Sequence, residues 1–277
     1  GLAHPDVPTL EENLDTFWTD EEARRWDPDG VIVATPTAQH LTDASPWILS
    51  AIPVLIEKPV SDNMDSLSQF LTAHSQKSEF PVWIAYHMRF HSCVQNVKQL
   101  LQDRDLHKLT AVLFWSSDAS GWHPWEGDAY KRGYAFRRDL GGGSALTMSH
   151  ELDLALFLFG KVSTALGVRH QSSELDLDVD DAYDQLLIHR SGAQCLVHTD
   201  FFGKPDCRYI SLASESGTHH FDMLADRHEM EQAYVKMTVD FLAAIDGRDN
   251  SLCTFQEAVQ VLEIIDASWE LEPTDEY

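Results

Sequence analysis

The stretch VLIEKPVSD, residues 54–62, decides how this chain is read. Val54–Glu57 has the apolar, branched composition of the end of a strand buried on both faces. Pro59 stops that strand, because proline fixes φ and has no N–H for a sheet ladder. An acid and a base, Glu57 and Lys58, stand at its mouth. A lysine at the carboxyl end of a buried strand has a partly desolvated ammonium, which can exchange a proton near neutrality. The same residue also fits a lysine that lays its stem along the strand end and carries its charge to solvent.

Outward from this stretch, strand and helix signals alternate. Val31–Thr35 and Pro53–Glu57 read as strands, with a helix over Ala38–Ala51 between them that Pro46 is expected to kink. Ser61 or Asp62 is expected to cap the next helix, which runs to about Ser75. Pro81–Tyr86 is a third strand and Ser92–Gln102 a third helix. Such alternation with short connections predicts a parallel sheet covered by helices, with ligands beyond the carboxyl ends of the strands. Thr35-Pro36, Glu57-Lys58-Pro59 and Tyr86-His87 all fall at such ends.

After about residue 105 the pattern changes. Leu109–Ser116, Tyr183–His189, Ala193–Phe202, Cys207–Ser214 and Thr218–Phe221 read as strands of a mainly antiparallel sheet. A loop over Ser117–Asp139 precedes Gly141–Gly143 and a helix over about Ala145–Phe159. The acidic Glu174–Asp184 segment reads as a solvated loop. Helices over about Met230–Ile245 and Phe255–Trp269 close the chain. The expected architecture is α/β: an incomplete Rossmann-type parallel sheet over residues 1–105, then an α+β domain with an open, mainly antiparallel sheet over residues 106–277.

The chain has 277 residues, 43% of them hydrophobic, and a formal net charge of −25. That charge makes nucleic acid and anionic membranes poor partners. No apolar run is long enough for a membrane helix. The four cysteines show no CxxC spacing and read as separate reduced thiols, which suits a cytoplasmic protein.

Two further stretches carry candidate chemistry. In GGGSALTMSHELDLALFLFG, Thr147, His150 and Asp153 follow at i, i+3 and i+6 and would share one helix face. His150 and Asp153 could form an acid–base pair there, or Asp153 could be a plain helix-face carboxylate. With no third ligand evident, a metal is not expected. The loop SGWHPWEGDAYKRGYAFRRD gathers aromatics, His123 and four basic residues. Its Trp125 face and His123 suit a sugar ring, and Arg138 could meet a carboxylate or phosphate. It reads equally well as a long loop packing its own aromatics.

Together, VIVATPTAQH, VLIEKPVSD, AYHMRFH, GGGSALTMSHELDLALFLFG and the closing DFLAAIDGRDNSLCTFQEAVQVLEIIDASWE resemble the Gfo/Idh/MocA oxidoreductases. The resemblance implies NAD or NADP as cofactor and hydride transfer to or from a sugar, nucleotide sugar or cyclitol. It implies Lys58 and His150 as the catalytic pair. Thr35, Pro36, His40, Glu57, Lys58, Pro59 and His87 would lie on the cofactor side. His123, Trp125, Arg138, Thr147, His150 and Asp153 would lie on the substrate side. It also implies a homo-oligomer. Two departures accompany it. The family often has an aspartate one turn before the histidine, where this chain has Leu146 and Thr147. No GxGxxG fingerprint precedes the first strand; the sole GxG is Gly141–Gly143. The expectation is therefore a fragment of a longer protein with weak hold on a dinucleotide pyrophosphate. A non-catalytic sugar- or partner-binding relative, or a lyase or glycosidase that uses NAD transiently, are the alternative functions.

Overall fold

A computed structural model describes residues 19–75, 81–102, 104–122 and 127–270. Helix α1 (Asp20–Arg25) opens on a capping box between Thr19 and Glu22. Strand β1 (Val31–Val33), helix α2 (His40–Leu49), strand β2 (Val54–Ile56), helix α3 (Met64–Ala73), strand β3 (Val82–Ile84) and helix α4 (Ser92–Leu101) then alternate as expected. Pro46 lies inside α2. The cap of α3 is Asn63 rather than Ser61 or Asp62; its side chain accepts the Ser66 N–H at 2.8 Å.

β1, β2 and β3 pair in parallel, with Val33, Ile56 and Ile84 in register. Val54, Leu55 and Ile56 are fully buried, so β2 has protein on both faces. The register sets three strand ends side by side. Thr35, Glu57-Lys58 and His87 therefore emerge along one rim.

The second sheet has seven strands. They are β4 (Thr110–Asp118), β5 (Val162–His170), β6 (Ala182–His189), β7 (Gln194–Asp200), β8 (Phe202–Ser214), β9 (Gly217–Asp222) and a short β11 (Trp269–Glu270). The spatial order is β11-β5-β6-β7-β4-β8-β9. The β5–β6, β6–β7, β4–β8 and β8–β9 pairs are antiparallel, and β4–β7 and β11–β5 are parallel. The sheet is thus mainly antiparallel. β5 escapes a reading of pattern because its residues are mostly half-buried, with no clean alternation.

Between β4 and β5 the helix expected over Ala145–Phe159 is two helices, α5 (Ser144–Thr147) and α6 (His150–Phe159). A continuous helix would give the Thr147 carbonyl to the Glu151 N–H. Here that carbonyl accepts from Lys58 Nζ at 2.6 Å, and the Glu151 N–H turns to Met148 O at 3.4 Å. The break is thus made by the lysine from the other sheet. The glycines ahead of α5 allow close approach. A Cβ on Gly142 would meet the Tyr134 and Ala135 carbonyls at 2.6 Å, and Gly143 has φ +110°.

The Glu174–Asp184 segment is the solvated loop its charge suggests only in its first half, where Glu174, Asp176 and Asp178 are exposed; its second half turns inward and joins β6. Asp180 caps α5, accepting from Ser144 Oγ and the Ala145 N–H at 2.9 Å each. Asp181 is buried and accepts the Ser172 and Ser173 N–H groups.

The chain returns to the first sheet near its end. After α7 (His228–Ile245), β10 (Cys253–Thr254) pairs antiparallel with β3, and α8 (Phe255–Asp266) follows. The sheet expected from residues 1–105 thus includes a strand from beyond residue 250. Buried side chains of β2, β3, β4, α6 and α8 belong to one continuous core that joins the two sheets.

Candidate functional site

A cavity of about 650 Å³ lies where the carboxyl rim of the first sheet meets α6 and the second sheet. Its volume suits a small-molecule ligand. Thr35, Pro36, Glu57, Lys58 and His87 line it from the rim, Thr147 and His150 from the α5–α6 break, Trp115 and Arg208 from β4 and β8, and Tyr234 from α7.

Lys58 is held by its bond to the Thr147 carbonyl, which positions the ammonium without cancelling its charge. Glu57 accepts the Lys58 N–H at 3.2 Å. Burial pushes the Glu57 carboxyl up, against the pull of Lys58. His40 ties two strand ends together: Nδ1 lies 2.8 Å from Pro59 O and Nε2 2.8 Å from Thr35 O. Pro59 itself serves the rim through that carbonyl.

His87 sits in a 3-10 turn over His87–Phe90, buried, with neither ring nitrogen bonded. Its ring stacks on Tyr234 at 3.7 Å and meets His150 edge-on at 4.5 Å. Burial, Arg208 and Lys58 push its imidazole down to about 3. His150 is also buried, with Nδ1 unbonded, and burial, His87, Lys58 and Arg208 hold it well below the usual histidine range. Thr147 Oγ1 likewise has no partner. Buried polar atoms are normally satisfied, and each one left alone costs roughly 1–3 kcal/mol. Four of the eight such atoms found among the described residues lie on three residues around this one cavity; the others are on His91, Arg169, His189 and Thr199. His87 and His150 are neutral near pH 7, so each has one N–H to donate and one nitrogen to accept.

Other expected residues are placed elsewhere. Asp153 does not line the cavity; it is fully buried and paired with Arg89, Oδ1 to Nη2 at 2.6 Å and Oδ2 to Nε at 2.9 Å. Arg89 also reaches Glu257 at 3.3 Å. The break between α5 and α6 takes Thr147 off the face expected for Thr147, His150 and Asp153; His150 and Asp153 stay in one helix, but Asp153 turns to Arg89. Arg138 is exposed, donating to Asp178 O at 2.9 Å and facing Glu270 at 3.7 Å. His123 and Trp125 lie outside the described residues.

Trp115, Tyr234 and Arg208 escaped the sequence reading. Arg208 is 2% exposed, forks onto Glu151 through Nε at 2.7 Å and Nη2 at 3.2 Å, and lies 3.9 Å over the Trp115 ring. Glu151 follows His150 in α6, the one local hint that this turn carries more than the histidine. Among the described residues, no three His, Cys, Asp or Glu side chains group to hold a metal ion, and no helix is long and apolar enough to cross a membrane.

Residues 94–218 match the family model of the GFO/IDH/MocA C-terminal domain. YteT of Bacillus subtilis (strain 168), a candidate oxidoreductase by name, is 30% identical over 162 residues. That match covers 58% of this chain and 35% of YteT, so the chain spans about a third of this curated relative. GenD2 from gentamicin A biosynthesis, solved in complex with NAD, superposes with a TM-score of 0.75 at 19% identity, covering 91% of this chain and 78% of that one. Levoglucosan dehydrogenase with NADH and levoglucosan gives 0.72 at 18% identity, covering 87% and 77%. A myo-inositol dehydrogenase from Corynebacterium glutamicum ATCC 13032 gives 0.69 at 17%, covering 90% and 79%. At these identities the structural likenesses establish the fold: a Rossmann-type half joined to an α/β half with an open sheet.

Proposed function

We propose that the chain belongs to the Gfo/Idh/MocA oxidoreductases, whose C-terminal domain model matches residues 94–218, and that its cavity serves hydride transfer between a nicotinamide dinucleotide and a hydroxyl or ketone of a sugar, nucleotide sugar or cyclitol. The observation that carries this reading is the convergence of Lys58, His87 and His150 on one cavity, with both histidines left short of hydrogen-bond partners. Thr35, Pro36, Glu57 and His87 fit the nicotinamide end, since they offer an apolar wall beside unpaired donors and acceptors. When bound, the nicotinamide supplies the hydride acceptor or donor.

The protein's part is the proton. An alcohol that loses hydride must also lose its O–H proton. His150, neutral near pH 7, is in the form that accepts it. Lys58 has N–H bonds beyond the one given to Thr147 O, and one of these stabilises the oxygen as charge develops on it. Trp115, Trp122 and Tyr134 give the cavity aromatic faces for a ring. Complexes of the structural relatives with NAD or NADH support NAD ahead of NADP. Leu166, Leu186 and Leu196 lie side by side on the outer face of the large sheet, all exposed, which supports a homo-oligomer.

The test is a panel of sugars, nucleotide sugars and cyclitols with NAD and with NADP, read at the nicotinamide absorbance. Turnover of at least one is expected, with Lys58→Ala reducing it to background and His150→Asn lowering kcat by about 10²–10⁴. Near-normal turnover in either variant would end the role assigned to that residue.

A further inference from the structure

We propose that Arg208 selects a sugar bearing a carboxylate, with Glu151 as the positioning residue that holds the guanidinium; this rests on the sugar reading above. The first ground is the bonding of Arg208. Two of its nitrogens are committed to Glu151, and Trp115 covers one face of the guanidinium. Nη1 has no protein acceptor among the described residues. An arginine that is buried, held on two sides and open to a cavity presents its remaining N–H groups in a fixed plane, the geometry that matches a carboxylate.

The second ground is the charge around it. The whole chain is at −25, yet the cavity wall carries two cations, Lys58 and Arg208, against one carboxylate, Glu57. Glu151 offsets Arg208 from behind the wall. Lys58 is bonded to a carbonyl, which leaves its charge standing. Glu57 accepts the Lys58 backbone N–H and makes no ion pair with the Lys58 ammonium among the described contacts. A substrate hydroxyl would satisfy Nη1 and do nothing for this excess. A single carboxylate does both, and the low local dielectric makes the gain larger than it would be in water.

The experiment is direct binding by calorimetry to matched pairs: glucose and glucuronate, galactose and galacturonate, UDP-N-acetylglucosamine and its uronate, with glucose 6-phosphate as a further anion. The acid member of at least one pair is expected to bind tenfold or more tighter than its neutral partner. Removing Arg208 alone strands a buried Glu151, so the variant of choice is Arg208→Met with Glu151→Gln, checked for folding by thermal melting. It should bring the acid-to-neutral ratio close to one while the neutral sugar still binds. Arg208→Lys should retain part of the preference. Equal binding of acid and neutral members, tighter binding of glucose 6-phosphate than of glucuronate, or an unchanged ratio in the double variant would overturn the proposal and leave the sugar reading in place. Binding of no sugar in any pair would overturn both.

Discussion

Histidines in two regions of this molecule are treated in opposite ways. In the cavity, His87 and His150 are buried with ring nitrogens unbonded, and burial with nearby cations pushes both toward the neutral form. On the outer face of the large sheet, His198 has carboxylates at both nitrogens, Asp184 at 2.7 Å and Asp200 at 2.9 Å, and Phe114 stacks on its ring at 4.7 Å. His170 joins the same Asp184 at 3.0 Å. Burial alone would lower His198, but the two aspartates raise it to about 9. The sheet network is complete without a ligand and so contributes to stability. The cavity set lacks such protein partners. The two sets differ in their partners: His198 has a carboxylate at each ring nitrogen, whereas His87 has none at either.

The largest expected effect comes from breaking a completed pair. Asp153→Ala removes the buried carboxylate and leaves Arg89 with only the half-exposed Glu257 at 3.3 Å, and should cost about 3–5 kcal/mol in denaturant unfolding. A loss below about 1 kcal/mol would mean that buried pairs here are not the scaffold. The sheet network should give a smaller, pH-dependent signal. The folded value of His198 is raised above its usual 6.5, so its contribution is fully present below about pH 6.5 and is lost as pH rises through about 9. His198→Gln should cost on the order of 1 kcal/mol below that window and flatten the fall in the unfolding midpoint across it. An unchanged slope would show that His198 is not the group responsible. The smallest stability effect is expected in the cavity. His87→Phe removes two unpaired nitrogens and keeps a ring against Tyr234, so the unfolding free energy should stay within about 1 kcal/mol or rise. A large loss would mean that His87 belongs to the scaffold after all.

Much of the rim could be read along the chain. Val54–Ile56 followed by Glu57-Lys58-Pro59 announces a buried strand that ends in an acid and a base, because burial on both faces demands an unbroken apolar run. Thr35, Lys58, His87 and His150, at four separate places in the chain, do meet at one cavity. Asp153 shows where that reading fails. Its spacing from His150 suggested a shared helix face, but its partner is Arg89, 64 residues earlier. Arg208 fails in the other direction. A lone arginine within a strand reads as a solvent-facing residue; only the β4–β8 pairing sets it against Trp115, and only the packing of α6 brings Glu151 to it.

By itself, then, the sequence determined most of the longer elements, β5 excepted, and the first sheet's rim, because apolar period, proline and capping act over a few residues. Only the tertiary structure decided the break between α5 and α6, the partner of Asp153, and which histidines stay unsatisfied. Each of these depends on a group from a distant element, such as Lys58 taking the Thr147 carbonyl, and no local pattern encodes a hydrogen bond made across 89 residues.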